Sequence, residues 1–146
     1  MKRQLLRAPL ATLAALAALA SGGAAAADLV VVVSARAPVT ALRADQVADI
    51  FLAESNRFPD GGEAVAIDQR VGTAARAEFY DKVARRSPAL MKAYWTKMIF
   101  TGRGQPPREA ADDAAVRRLV AENPGMIGYI ERSALDPSVR AVLVVR

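Results

Sequence analysis

Leu29-Val30-Val31-Val32-Val33 is five consecutive apolar residues, four of them β-branched. Few segments restrict a fold more tightly. Branching at Cβ favours extended backbone. Side chains of a strand alternate between the two faces of its sheet, so an unbroken apolar run needs cover on both sides. The segment is expected as a strand buried on both faces, with helices layered above and below it.

The chain that follows supplies those helices. Ser34 to Thr40, with Pro38, leaves the strand as an extended connection. Leu42, Gln46-Val47 and Ile50-Phe51 recur at helical spacing, which predicts a helix over 43–53. Asn56 to Gly62 is rich in turn formers, and Ala64-Val65-Ala66-Ile67 is a second strand. A helix opening at Gly72 turns Phe79, Tyr80 and Val83 inward. Ser87-Pro88 caps and restarts a helix that runs through Ile99. Phe100 to Arg108 reads as a loop, Ala111 to Glu122 as a helix stopped by Asn123-Pro124-Gly125. Met126 to Ile130 and Val139 to Val145 are the third and fourth strands. Strands alternating with helices specify an α/β fold in three layers, αβα, around a mostly parallel sheet of about four to five strands.

The first 27 residues read differently. Met1-Lys2-Arg3 and Arg7 precede an apolar run from Leu10 to Ala20, Ser21-Gly22-Gly23 breaks it, and Ala24 to Ala27 offers small residues for cleavage. That is the layout of a secretory signal peptide, with the cut expected before Asp28 and export to the periplasm as its consequence. The run is shorter than the roughly 20 residues a membrane-spanning helix requires. No Cys follows it, which excludes lipid attachment at a cysteine. The expected organisation is a signal peptide, 1–27, and one compact domain, 28–146. Three of the twenty basic residues and none of the fifteen acidic ones precede residue 28, so the formal charge falls from +5 to +2 on cleavage. Neither a dense basic stripe nor interleaved aromatics are present, and nucleic acid is not an expected partner.

Catalytic chemistry finds little to work with. The chain has no His and no Cys, which removes the commonest general base, the commonest nucleophile pairing and the usual transition-metal ligands. Asp112-Asp113 at a helix start offset the helix dipole. Asp60-Gly61-Gly62-Glu63 lacks the alternating oxygens of a calcium loop, and Gly102-Arg103-Gly104 lacks the Lys-Ser/Thr ending of a phosphate loop. Tyr94-Trp95 with Met98-Ile99 is expected as a buried helix face. No catalytic residue, metal site or cofactor is expected.

One segment does point to a ligand. Strand Ala64–Ile67 runs into Asp68-Gln69-Arg70-Val71-Gly72-Thr73, and a helix opens on Ala74-Ala75-Arg76. A helix N-terminus presents unpaired N–H groups and a partial positive charge. Glycine lets an anion come close to that backbone, and a hydroxyl adds a donor. Arg76 is a cation in the first turn, unfavourable there unless an anion or water compensates it. Thr73 as a plain helix cap explains the same residues. Both readings stay open on these residues alone.

Taken in order, these segments resemble the phosphate-type substrate-binding proteins of bacterial ABC transporters, the type II periplasmic binding proteins, over one of their two lobes. Val31-Val32-Val33 followed by Pro38-Val39-Thr40-Ala41-Leu42 is similar to the segment by which that family's chain enters the lobe. Gln46 to Leu52 resembles its next helix, with Ala53 where a Gly is usual. Gly72-Thr73-Ala74-Ala75-Arg76 through Phe79 looks like its Gly-Ser-Gly-Thr-Arg-x-x-Phe anion-binding turn, and Pro124-Gly125-Met126-Ile127-Gly128-Tyr129 like its late Pro-Gly-x-Ile-Gly-Tyr strand. Thr73 stands at the family's Ser, Ala74 and Ala75 replace its Gly and Thr, and Gln69 replaces its anion-pairing Arg, with Arg70 adjacent. The resemblance implies a single-lobe, non-enzymatic periplasmic protein binding inorganic phosphate or a similar oxyanion through Gly72, Thr73, Ala74 and Arg76, with Gln69 and Arg70 near. It implies an ABC transporter permease or another periplasmic or membrane protein as partner, and leaves room for a homodimer that rebuilds a cleft. The alternative is a module that kept the fold, lost the ligand and docks onto a partner protein.

Overall fold

The structure, a computed structural model, describes residues 28–146; the segment 1–27, expected as a signal peptide, lies outside the described residues. In chain order the elements are β1 (Leu29–Ser34), α1 (Ala44–Phe51), β2 (Val65–Gln69), α2 (Ala74–Ala84), α3 (Pro88–Phe100), β3 (Arg108–Ala110), α4 (Asp113–Glu122), β4 (Met126–Glu131) and β5 (Val139–Val144). The sheet order is β3-β2-β4-β1-β5. β2 is parallel to both β3 and β4, whereas β1 is antiparallel to both β4 and β5. Four strands therefore point one way and β1 alone opposes them, so the sheet is mostly but not purely parallel.

All six residues of β1 are buried, and their alternation divides the core. Val31 and Val33, with Ile127 and Tyr129 of β4, face Phe51, Phe79, Tyr80, Met91 and Trp95 from α1, α2 and α3. Val30 and Val32, with Ile67 and Ile130, face Val116 and Val120 of α4. Each such side chain stabilises the fold by roughly 1.5–3 kcal/mol relative to exposure. On the first face the Phe79 ring stacks on Tyr129 at 3.9 Å between centroids, and Phe51 meets Phe79 edge-on at 4.7 Å. On the second, a Cβ at Gly128 would stand 2.5 Å from Val116 Cγ1. The absence of a side chain there lets α4 seat against β4.

Several boundaries differ from the sequence expectation. β2 extends through Asp68 and Gln69, and α2 opens at Ala74 rather than Gly72. Phe100 completes α3 instead of starting a loop, and α4 begins at Asp113. β3 is an additional strand: three residues paired only with β2, with Arg108 and Glu109 exposed, leave no apolar pattern to read. The helix expected over 43–53 stops at Phe51, and Ala53 takes a left-handed φ of 58°. That is the position where the resembling family carries Gly.

Candidate functional site at the start of α2

β2 delivers two polar residues to opposite faces of the sheet. Asp68 turns toward α2 and is 1% exposed. Its Oδ2 accepts from the Tyr80 hydroxyl at 2.6 Å, and Arg76 Nε stands 3.3 Å from the same oxygen. Its Oδ1 accepts from the Tyr129 hydroxyl at 2.5 Å and from the Gln69 N–H at 2.8 Å. A buried carboxylate is tolerable when hydrogen-bonded and paired in this way. Both phenols are pushed well above the ordinary tyrosine range, by burial first and then by the adjacent Asp68 charge and its hydrogen bond. The guanidinium of Arg76 also lies over the Tyr80 ring, 5.1 Å from its centroid.

Gln69 takes the other direction. Its Nε2 donates to Asp113 Oδ1 at 2.7 Å and to the Tyr129 carbonyl at 3.0 Å. Asp112 caps α4 by accepting from the Ala115 N–H at 2.8 Å. Asp113 thus does more than offset the helix dipole, because it ties α4 to β2.

After β2 the chain turns through Arg70-Val71-Gly72. Gly72 has φ +90°, a conformation that favours glycine, and a Cβ there would meet nothing within 4 Å. Thr73 Oγ1 accepts from the Arg76 N–H at 3.3 Å and donates to the Arg70 carbonyl at 2.9 Å. Thr73 is therefore a helix cap, and its hydroxyl proton is already engaged. The Val71 N–H donates to the Glu109 carboxylate at 3.3 Å. Among the described residues, no acceptor takes the N–H groups of Gly72, Ala74 or Ala75.

This helix start opens into a cleft of about 810 Å³. Val71, Gly72, Thr73, Ala74 and Arg76 form one side; Met91, Lys92, Trp95 and Ile99 of α3 face them, with Tyr80, Pro106-Pro107 and Glu109 between. Gly72, Thr73, Ala74 and Arg76 thus line one cleft, while Gln69 and Arg70 do not line it. Gln69 is held on the α4 side because neighbouring strand residues alternate faces; Arg70 is exposed in the turn. Asp68, Tyr80 and Tyr129 are the residues that sequence reasoning did not place at the site. A charged residue following an apolar strand was their only local signal, since Asp68 and Tyr129 are 61 positions apart.

The α3 wall carries one unusual group. Trp95 is 6% exposed, and its indole N–H is the only buried side-chain polar atom without a partner among the described residues. An unmade buried hydrogen bond costs about 1–3 kcal/mol. Tyr94 and Met98 are half-buried, and Ile99 is 48% exposed, so the expected apolar face of α3 is only partly covered.

No family model matches the chain, and no curated protein matches it. Solved structures do. A chain from Clostridium perfringens assigned as a phosphate ABC transporter substrate-binding protein, with bound phosphate, superposes with a TM-score of 0.62 at 22% identity, over 80% of this chain and 44% of that one. An ABC-type phosphate transport receptor from Vibrio cholerae gives 0.62 at 18%, over 80% and 45%. PstS from Borrelia burgdorferi gives 0.58 at 12%, over 80% and 46%. This chain spans less than half the length of each. What it shares with them is the fold, that of a periplasmic-binding-protein lobe.

Proposed function

We propose that this protein is an exported, non-enzymatic solute-binding domain that takes an oxyanion, inorganic phosphate being the simplest of the class, at the start of α2. The observation that carries the reading is the pair of unpaired N–H groups of Gly72 and Ala74, which share a cleft with Arg76. Asp68 orients Arg76 through Nε, and the terminal guanidinium nitrogens make no hydrogen bond within the described residues. The solved structures that share the fold include one with bound phosphate, which supports the same ligand class. In this reading residues 1–27 direct export to the periplasm, residues 28–146 act there as one domain, and an ABC-type permease is the partner. Calorimetric titration with phosphate and sulfate tests the binding. No heat from either anion at millimolar concentration removes the reading.

A second reading has its own observation. Val71, Leu90, Ile99 and Phe100 are 71%, 54%, 48% and 91% exposed, around the cleft and along α3. A helix apolar on several sides is commonly covered by something. In that reading the domain binds no anion and docks α3 onto a protein partner or a second copy. Light scattering across a concentration series, with and without phosphate, separates the two.

A further inference from the structure

The cleft is much larger than a four-oxygen anion, and most of its lining is apolar. Ligand sites for organic molecules have this character: several hundred Å³, apolar walls and a few placed polar groups. The charges in the lining also cancel, with Asp68 and Glu109 against Arg76 and Lys92. A site balanced in this way gives a bare dianion little Coulombic preference. The unpaired amides at the start of α2 still select an oxyanion head. Across from them, Met91, Trp95 and Ile99 offer apolar surface where such a head needs none. Trp95 stands in this wall more than nine-tenths buried, with its indole N–H unpartnered. A buried donor without a partner is rare in native structures, and Trp95 lines the cleft.

From these observations we infer that the cleft accepts an organic oxyanion, a phosphonate- or carboxylate-type head carrying a ring-sized apolar body, in preference to inorganic phosphate. The head binds at Gly72 and Ala74, and the body lies along α3 against Trp95 and Ile99. This deepens the oxyanion reading above and rests on it.

The test is calorimetric titration of the purified protein with inorganic phosphate, phenylphosphonate and benzyl alcohol. Fluorescence of Trp95, the only tryptophan of the chain, is followed in parallel. Phenylphosphonate is expected to bind at least about tenfold tighter than phosphate, from burial of its ring, and to shift the Trp95 emission. Benzyl alcohol, which lacks the anionic head, is expected to do neither. Ile99→Ser, at a half-exposed position, should bring phenylphosphonate back towards the affinity of phosphate. Equal or tighter binding of phosphate overturns the apolar-body inference and leaves the oxyanion reading standing. An unchanged phenylphosphonate affinity in Ile99→Ser overturns the placement against α3. Benzyl alcohol binding as tightly as phenylphosphonate, or no binding by any of the three, overturns the oxyanion reading itself.

Discussion

Arg76, in the first turn of α2, is compensated from within the protein: its Nε stands 3.3 Å from the carboxylate of Asp68, at the end of β2. A cation at a helix N-terminus opposes the dipole, and here a buried anion from the preceding strand offsets it. The pair ties the end of β2 to the first turn of α2. Its side chains are only 11% and 2% exposed, so water does little to screen it.

Asp68→Asn should therefore destabilise the protein by about 3–5 kcal/mol, the usual cost of breaking a buried pair by removing one partner. The variant leaves Arg76 without its counter-charge and weakens the bonds from Tyr80 and Tyr129. Urea unfolding measures it. A loss below 1 kcal/mol would mean that the carboxylate is not the hub of this network.

Arg76→Gln should lower stability as well, because Asp68 then keeps a buried charge with only neutral donors. If the oxyanion reading holds, phosphate affinity also falls by roughly ten- to a hundredfold, the equivalent of one charge-assisted hydrogen bond. Paired denaturation curves with and without phosphate separate the two effects. A stability loss with unchanged affinity assigns Arg76 to the fold alone.

Gly72→Val should cost about 1–3 kcal/mol of stability, because φ +90° is strained for any residue with a Cβ, and under the oxyanion reading it should also abolish anion binding. Space is not the obstacle, since the added Cβ meets nothing. Circular dichroism should keep its native shape. Retained phosphate affinity in this variant would move the site elsewhere.

Stability should fall at alkaline pH. Tyr80 and Tyr129 have folded pKa values raised above the ordinary value near 10, by burial and by Asp68. A raised folded pKa contributes stability that is present below the unfolded value and lost as pH climbs above it. Ultraviolet titration should accordingly show Tyr80 and Tyr129 ionising only as the protein unfolds. Reversible ionisation of all three tyrosines in the native state would contradict the buried network.

Ala53→Gly should stabilise the protein by about 0.5–1 kcal/mol. Ala53 sits at φ 58° just past α1, a conformation that costs an L-residue but not glycine. Thermal unfolding measures the gain. An unchanged or lower midpoint would mean that the strain at this turn is already relaxed.

What the sequence determined by itself was everything set by local periodicity and capping. The run Leu29–Val33 specified a strand covered on both faces, because alternation leaves it no polar side. Ser87-Pro88 and Asn123-Pro124-Gly125 marked helix ends, because their backbone preferences act over one or two residues. Gly72-Thr73 marked the start of α2 for the same reason, and its positive φ and cap bear that out. Tertiary structure alone decided the rest. It made β1 antiparallel to both neighbours, added the pattern-less strand β3, and brought Asp68, Tyr80 and Tyr129 together from three separate elements. It also sent Gln69 to the α4 side while Asp68 entered the site, a choice fixed by where β2 enters the sheet. Strand order, facing and cross-chain pairing come from contacts between residues far apart in sequence. No local pattern of residue types records them.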